Sequence, residues 1–464
     1  MSIVSTLKSP PIWSPAYNPI IWEVQSDQVN QFKFRYVFDV YINDNTYLRY
    51  KIPANPAGAG IIDVSSLVQG ALTVAQNLPF LSTLPFYSGE GLAATVYAKV
   101  GEEYALSVTS DSIIYNGLGS IGAPAYGLYA DGDWRPAPNS TTPVVAWASG
   151  QGASENYDYM LTSGEEILQY EMALGQTPDT GGKFLTRCPY TPQTIRSDEN
   201  FTLTWLNYNF EAATGPRAFP YAMKVTTFQS GATVGATGFL NIEANGGNWT
   251  SCTTFGTGPT ATSDYLNSFR INMADVQDEI PGAFDTVTLQ LFPYVTYGVC
   301  TLGATGLSEK ITLQIDDTNC WGFDPIRFVW LNNLGGRDWY TFIKRNTYTQ
   351  NATRDTFYQL PGYWSTAQWS IQDINPARWG TTVFKMQLNN TWTASTDWIT
   401  EEQSEWLRGM FASPSVHVYL PGRSEPTLIT ITDANYSVQT YAREKLFQYF
   451  VSFVEAQPDV VQSY

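Results

Sequence analysis

The sequence predicts a mainly β fold, built from several Ig-like or sandwich-like β domains in series with a few short helices. Short apolar segments with a two-residue period recur along the 464 residues, and Gly, Pro, Asn and Asp separate them. Aromatic residues, which favour strands, make up 15% of the chain. Segments with helical spacing are few and short. Because a chain of this length exceeds a single hydrophobic core, we expect about two to four domains.

The first predicted domain covers residues 1–120, and its clearest element is a hairpin. In FKFRYVFDVYI, from Phe32 to Ile42, the two-residue period places Phe34, Tyr36, Phe38, Val40 and Ile42 on one face of a strand. Residues 43–45 form the turn, and TYLRYKI returns. IIDVSSLVQGALTVAQN then predicts a short amphipathic helix with Asp63 as its N-cap. Strands at 94–100 and 105–115 complete this domain.

Residues 121–195 are predicted to be a connecting segment with some strand, and 196–317 a second sandwich-like domain. TLTWLNYNF, AMKVTTF, TVTLQLFPYV and KITLQI are its predicted strands. RINMADVQDEIPG predicts a short helix that Asn272 caps and Pro281-Gly282 ends. Both domains run in the order strands, capped helix, strands. Their caps lie 272 − 63 = 209 residues apart, which suggests a weak internal repeat.

The third predicted domain, 318–464, is β-rich and opens with FVWLNNLGGRDWYTF at 328–342. Its aromatic flanks favour strands, and the Asn and Gly residues of 332–336 favour a loop of about five residues. Arg337 and Asp338 are expected in water at the loop exit. Two interpretations stay open: a hairpin of the domain core, or an assembly contact made by the loop and its aromatics.

Later segments of this domain predict further strands and one helix. VFKMQL, VHVYL, TLITIT, YSVQTY and LFQYFVSFV have strand patterns. The helix lies near 400–411, where Thr400 and Gln403 have the spacing of a capping box. The C-terminal QPDVVQSY is expected to be a flexible arm or a strand that binds a partner.

Composition and charge limit the partners. The net charge is −17, from 25 basic and 42 acidic residues, which disfavours nucleic acid and anionic membranes. No run of 18 apolar residues occurs, so membrane insertion is not expected, and residues 1–15 lack the apolar core of a secretory signal. Only 14% of the residues are charged, against about 25% in ordinary soluble proteins. Much of the surface is therefore expected either to be covered by partner subunits or to consist of Ser, Thr, Asn and Gln.

Four cysteines occur, and none has the C-x-x-C spacing of a zinc or thioredoxin-type site. They are Cys188, Cys252, Cys300 and Cys320. For a chain made in the cytosol we expect buried thiols, with a disulfide between Cys252 and Cys300 as the alternative.

Residues for catalysis are scarce in this sequence. His417 is the single histidine, and it lies in a strand pattern without a neighbouring nucleophile motif, which favours a structural role. Gly182-Lys183 resembles a phosphate loop, but Phe184 replaces the required Ser or Thr. Four acidic pairs have the residue types of a glycosidase: Glu165-Glu166, Asp316-Asp317, Glu401-Glu402 and Asp131-Asp133. We expect no enzymatic activity and no cofactor or metal.

Tryptophans crowd one stretch of the third domain. They are Trp364, Trp369, Trp379, Trp392 and Trp398. Core and interface packing is the first interpretation, and a platform for stacking sugars is the alternative.

Three stretches together resemble structural proteins of tailed bacteriophages, in particular phages of Bacteroidetes-type bacteria. They are SPAYNPIIWEVQSD with FKFRYVFDVYI and IIDVSSLVQ, then FVWLNNLGGRDWYTF, and finally DWITEEQSEWLRGMFASPSVHVYL with TLITITDANYSVQTYAREKLFQYFVSFVEA. The resemblance covers most of the chain except 117–195 and 229–263. The Gly/Thr-rich insertion before Asn272 departs from the pattern.

The resemblance implies a non-enzymatic tail or baseplate component, assembled in the host cytoplasm and located in the virion. Its implied partners are further copies of itself and other phage structural proteins. A carbohydrate-binding tail-fibre or adhesin module that contacts a host surface glycan is the alternative. The candidate interface residues are Phe328, Trp330, Leu334, Trp339, Tyr340, Trp369, Trp379 and Trp406.

Overall fold

A computed structural model of the chain describes 27 stretches of residues. They are 4–8, 10, 13–42, 45–72, 86–88, 93–110, 113–117, 127–129, 144–147, 171–172, 182–189, 192–207, 210–211, 215–216, 221–241, 249–250, 266–280, 282–296, 301–302, 306–318, 322–360, 363–365, 368–370, 380–423, 425–432, 446–457 and 459–463. These residues form several separate sheets and three short helices. The predicted mainly β fold is confirmed, whereas the Ig-like topology and the four-part division of the chain stay predictions.

The chain divides into two compact units. Unit 1 consists of Met1–Asp317 and Leu331–Asp338, and unit 2 of Thr318–Trp330 and Trp339–Tyr464. The loop of the hairpin at 328–342 therefore belongs to unit 1, although most of its two strands belongs to unit 2.

The strands of unit 1 are short except for a few long antiparallel pairs. They are β1 (Val4–Lys8), β2 (Trp13–Pro15), β3 (Ile21–Ser26), β4 (Phe32–Ile42), β5 (Asn45–Ile52), β6 (Ala59–Asp63), β7 (Phe86–Ser88), β8 (Ala93–Ala105), β9 (Ile113–Gly117), β10 (Gly127–Tyr129), β11 (Val144–Trp147), β12 (Glu171–Met172), β13 (Gln193–Ile195), β14 (Asn200–Asn207), β15 (Phe210–Glu211), β16 (Gly215–Pro216), β17 (Tyr221–Gln229), β18 (Ala232–Asn241), β19 (Trp249–Thr250), β20 (Leu266–Asn272), β21 (Thr286–Thr296), β22 (Thr301–Leu302) and β23 (Ile311–Ile315).

Two seven-stranded sheets form the largest part of unit 1. In the first, β4 pairs antiparallel with β5 and with β8. β8 also pairs with β9 and with β11, and the sheet continues from β9 to β10 and from β11 to β2. The second runs β13-β23-β21-β17-β18-β19, with β22 beside β21. Smaller sheets are β1-β3-β6, β12-β14-β20-β7 and β15-β16.

The alternation predicted for β4 is confirmed. Tyr36, Phe38, Val40 and Ile42 lie in one buried cluster with Trp22, whereas Val37 faces a different cluster. The two-residue period therefore places one apolar face against the core.

The first helix, α1 (Ser65–Ala71), corrects one predicted cap. Its N-cap is Val64, which offers no side-chain hydrogen bond, and β6 ends at Asp63. The carboxylate of Asp63 accepts the N–H of Ser65 at 2.9 Å and that of Ile20 at 3.0 Å. Asp63 thus joins the helix to the neighbouring strand from a position one residue before the cap.

The second helix, α2 (Met273–Glu279), begins where the sequence predicts. Asn272 is its N-cap, and its side chain accepts the N–H of Ala274 at 2.9 Å. Met273, Val276 and Ile280 are buried, as the helical spacing predicts.

Unit 2 contains one eight-stranded sheet and two short strand pairs. Its strands are β24 (Ile326–Leu331), β25 (Arg337–Phe342), β26 (Asn346–Gln359), β27 (Tyr363–Ser365), β28 (Gln368–Ser370), β29 (Gly380–Ser395), β30 (Ile399–Thr400), β31 (Val416–Tyr419), β32 (Thr427–Ile431), β33 (Leu446–Phe447), β34 (Phe450–Glu455) and β35 (Asp459–Ser463). The large sheet runs β25-β24-β31-β32-β34-β29-β26, and β35 also pairs with β29. The short pairs are β27-β28 and β30-β33.

The third helix, α3 (Glu401–Phe411), has the predicted capping box. Thr400 accepts the N–H of Gln403 at 3.3 Å, and the Gln403 side chain accepts the N–H of Thr400 at 2.9 Å. Trp406, Leu407 and Met410 are buried. The C-terminal segment, by contrast, corrects a prediction: instead of extending as an arm, β35 pairs antiparallel with β29 of its own chain.

Candidate interaction surface

Most of the predicted interface residues belong to the core of the chain itself. Phe328, Trp330, Leu334, Trp339 and Trp406 are at most 7% exposed. Packing within the chain accounts for these five side chains, and their interface role stays a prediction.

Aromatic packing explains this burial. The Phe328 ring lies 4.6 Å from that of Phe342 and 5.2 Å from that of Phe453, and the Trp330 ring lies 5.3 Å from that of Trp406. The hairpin 328–342 is therefore a core hairpin, the first of its two interpretations.

The other three candidates have different outcomes. Tyr340 is half-buried and packs edge-on against Phe342. Burial raises the pKa of the Tyr340 phenol far above its usual range, and the negative charge of Asp397 adds to the shift. Trp369 lies in β28, where its backbone is opposite Trp364, while Trp379 lies outside the described residues.

A different part of unit 2, the pair of β26 and β29, has a row of exposed residues that includes several aromatic side chains. Strands β26 and β29 pair antiparallel from Asn346↔Ala394 to Gln359↔Gly380 and form a long ribbon. The other side of β29 is bordered by β34 at 391–395 and by β35 at 385–388, so the ribbon is two-stranded only at its far end, where 356–359 pair with 380–383. Fourteen residues in extended conformation span about 45 Å. Every residue of β26 after Asn346 is exposed, so neither face of this strand is covered by the described part of the chain.

The base of the ribbon is held to the sheet by a polar and aromatic cluster. The Tyr348 ring packs 4.5 Å from that of Trp392, and its hydroxyl donates to Asn390 at 2.9 Å. Trp392 donates its indole N–H to Glu455 at 3.2 Å, and Glu455 also accepts from Arg423 at 2.8 Å. These contacts add to the backbone pairing of β29 with β34 that holds this end of the ribbon in the sheet.

The far end of the ribbon has five large exposed apolar side chains, here called the apolar tip. They are Phe357, Tyr358, Leu360, Val383 and Phe384, which are 38–59% exposed. Within the tip, the Phe357 and Phe384 rings meet edge-on at 6.2 Å. Exposed aromatic groups of this kind are typical of protein interfaces.

The described residues considered for chemistry belong to elements other than β26 and β29. His417 is buried in β31, and Asp316 and Asp317 are exposed after β23, where Asp317 accepts the N–H of Ser197 at 2.8 Å. Glu401 and Glu402 begin α3, where the helix dipole favours negative charge. The pairs Glu165-Glu166 and Asp131-Asp133 lie outside the described residues.

The residues relevant to metal, phosphate and thiol chemistry lie only partly within the described stretches. There, no group of three or more His, Cys, Asp or Glu residues has the geometry of a metal site. Gly182-Lys183 precedes Phe184, which is completely buried, and no helix begins there. Cys188 donates its backbone N–H to Thr186 at 3.2 Å, while Cys252, Cys300 and Cys320 lie outside the described residues.

Comparisons with known proteins assign no family to the chain. No family model matches it, and no curated protein matches its sequence significantly. None of the helices in the described stretches is long and apolar enough to cross a membrane.

Proposed function

We propose that the chain is a non-enzymatic structural component of a bacteriophage tail or baseplate. In this role it oligomerises and bridges neighbouring virion proteins, and its location is the virion after assembly in the host cytoplasm. The phage assignment rests on the three sequence stretches that resemble such proteins.

The observation that supports a bridging role is the ribbon of β26 and β29 with its apolar tip. The far end of the ribbon, beyond β35, is two-stranded and gains little stability in water by itself, and its exposed aromatic side chains add a cost in contact with solvent. Both costs disappear when another protein covers the ribbon. The low content of charged residues is consistent with the same role.

Labelling of phage particles tests the location, and mutation of the apolar tip tests the bridging. Gold-labelled antibody against the chain is expected on the tail or baseplate in electron micrographs. A chain with Phe357→Ser, Tyr358→Ser and Phe384→Ser should fold normally but enter particles several-fold less often.

The control changes two exposed hydrophobic residues of unit 1, Leu106→Ser and Val108→Ser, which are 67% and 64% exposed. This control should enter particles at the native level. Particles without the chain, or equal incorporation of both variants, would contradict the proposal.

A carbohydrate-binding tail-fibre or adhesin module is the second candidate. It is supported by Trp364 and Trp369, which are opposite each other in the β27-β28 pair, and by Trp398, which is 63% exposed. A glycan array with the native chain and Trp369→Ala separates the two functions. Specific sugar binding that disappears in the variant would favour this candidate.

A further inference from the structure

We propose that the outer edge of β26 pairs with β26 of a second copy of the chain, antiparallel and around a twofold axis at Thr353. This inference rests on the proposed function and names one partner for it, a second copy.

The edge of β26 is open and regular. β26 is the last strand of its sheet, and no strand in the described stretches pairs with its outer side. The one irregularity of the ribbon places an extra residue, Phe384, on β29, because Asp355 pairs with Lys385 and Thr356 with Val383. The backbone groups of β26 therefore continue without interruption along the open edge.

The sequence of β26 lacks the features that protect edge strands. It contains no Pro, Gly or Lys, and Thr, Tyr and Phe supply 7 of its 14 residues. Its only charges, Arg354 and Asp355, cancel. Every backbone N–H donor of the strand is therefore present, and no net charge on the strand opposes pairing with a second copy.

Symmetry and side chains together select the register. A twofold axis perpendicular to the sheet places the same face of both copies on the same side. Even-numbered residues of one copy therefore lie opposite even-numbered residues of the other. With the axis at Thr353, the 13 residues from Thr347 to Gln359 pair (359 − 347 + 1). Tyr348 of each copy then meets Tyr358 of the other.

Neighbouring registers are less favourable. An axis at Arg354 would place two guanidinium groups opposite each other, and an axis at Asp355 two carboxylates. An axis at Ala352 would remove both tyrosine pairs. At Thr353, Arg354 meets Ala352 of the second copy and Asp355 meets Asn351.

Charge outside the ribbon opposes the association. Each chain has a net charge of −17, so two copies repel each other at long range. Salt screens this repulsion, with a Debye length of about 8 Å at physiological ionic strength. The dimer is therefore expected to become tighter as salt increases from low to physiological concentration.

Disulfide trapping tests the register directly. Two directly opposed residues of antiparallel strands have Cα atoms about 4.5–5.5 Å apart, which fits a disulfide. Thr353→Cys should form a covalent dimer under mild oxidation. Thr349→Cys is the matched control, because its counterpart lies eight residues along the pair, or about 27 Å away.

The double variant Thr349→Cys with Phe357→Cys should cross-link again, since these positions meet in the proposed register. Equal cross-linking of Thr353→Cys and Thr349→Cys, or cross-linking of neither, would overturn the inference.

Charge exchange at the axis supplies a second test. Thr353→Lys and Thr353→Glu each place like charges face to face, so each should raise the dimer Kd at least tenfold in sedimentation equilibrium. An equimolar mixture should restore dimers, because Lys then meets Glu. Both variants change an exposed side chain, so their thermal unfolding should match that of the native chain.

Native-like dimers of both variants, or a mixture that stays monomeric, would exclude this pairing. If Thr353→Lys still enters phage tails at the native level, the pairing is excluded while the proposed function stands. If the native chain forms the trapped dimer but is absent from phage particles, the pairing stands and the proposed function fails.

Discussion

The side-chain amide of Asn332 donates a hydrogen bond to the carbonyl oxygen of Leu185 at 2.8 Å, and both groups are buried. The carbonyl oxygen of the same side chain accepts the N–H groups of Leu334 and Gly336, each at 3.0 Å. One amide therefore closes the hairpin loop and joins it to a segment 147 residues away in sequence. All four residues belong to unit 1.

Asn332→Ala should destabilise unit 1 by about 2–5 kcal/mol, because three buried backbone groups lose their partner at about 1–3 kcal/mol each. Urea unfolding followed by tryptophan fluorescence measures the change. Asn389→Ala removes an exposed amide from β29 and should change stability by less than about 0.5 kcal/mol. Similar midpoints for the two variants would contradict the role assigned to Asn332.

The same hairpin shows what local sequence determines and what it does not. The Asn and Gly residues at 332–336 predict the five-residue loop, and the structure confirms it between Leu331 and Arg337. Arg337 and Asp338 were expected in water but are 3% and 2% exposed. Asp338 accepts a hydrogen bond from Thr186 at 2.6 Å, a partner 152 residues away that local patterns do not identify.

Gly336→Ala should destabilise the chain by about 2–4 kcal/mol, because the added methyl group would overlap the carbonyl oxygen of Leu185 and force the backbone to move. Gly70→Ala is the matched control. Gly70 is exposed within α1 with open space around its Cα, so alanine should stabilise the helix by about 0.5–1 kcal/mol. Thermal unfolding of both variants checks the opposite signs, and a loss of stability in Gly70→Ala or none in Gly336→Ala would contradict them.

Glu309 is expected to make stability depend on pH. Burial raises the pKa of its carboxyl group above the ordinary 4.5, although the N–H of Phe184, at 2.9 Å, and the charge of Lys183 oppose the shift. The folded chain therefore binds more protons than the unfolded chain just above pH 4.5, and the free energy of unfolding decreases as pH rises through the raised pKa. Glu309→Gln keeps an acceptor for Phe184 and should abolish this decrease. Urea unfolding from pH 4 to 7 measures it.

Asp285 provides a comparison of opposite sign. The N–H of Ser230 and then the hydroxyl of Thr286 lower the pKa of its carboxyl group. The contribution of Asp285 is therefore complete above its ordinary pKa of 3.8 and is lost as pH falls toward the lowered value. Asp285→Asn should therefore change the pH dependence of the free energy of unfolding only below that ordinary pKa. The Glu309 prediction fails if Glu309→Gln keeps the native slope above pH 4.5.

The exposed surface of the ribbon was harder to predict than the fold, and β26 explains why. Its sequence, NTYTQNATRDTFYQ, is polar on both faces and has no apolar alternation, so the pattern that identified β4 is missing. The hairpin at 328–342 is strongly apolar, and several of its residues were therefore predicted to form an interface, although apolar residues usually fill a core. Exposure depends on which strands lie against a segment, and that information comes only from the pairing of distant strands.

Two phenylalanines of unit 2 separate core from surface in a direct experiment. Phe328 is fully buried between Phe342 and Phe453, so Phe328→Ala should destabilise unit 2 by about 3–5 kcal/mol. Phe357 is 46% exposed in the apolar tip, so Phe357→Ala should change the free energy of unfolding by less than about 0.5 kcal/mol. If the proposed function holds, incorporation into particles should decrease in Phe357→Ala without a change in the urea midpoint, because the proposed contact of the tip is with another protein. A large drop in stability for Phe357→Ala would mean that the tip packs within its own chain, and native stability of Phe328→Ala would mean that the hairpin is not part of the core.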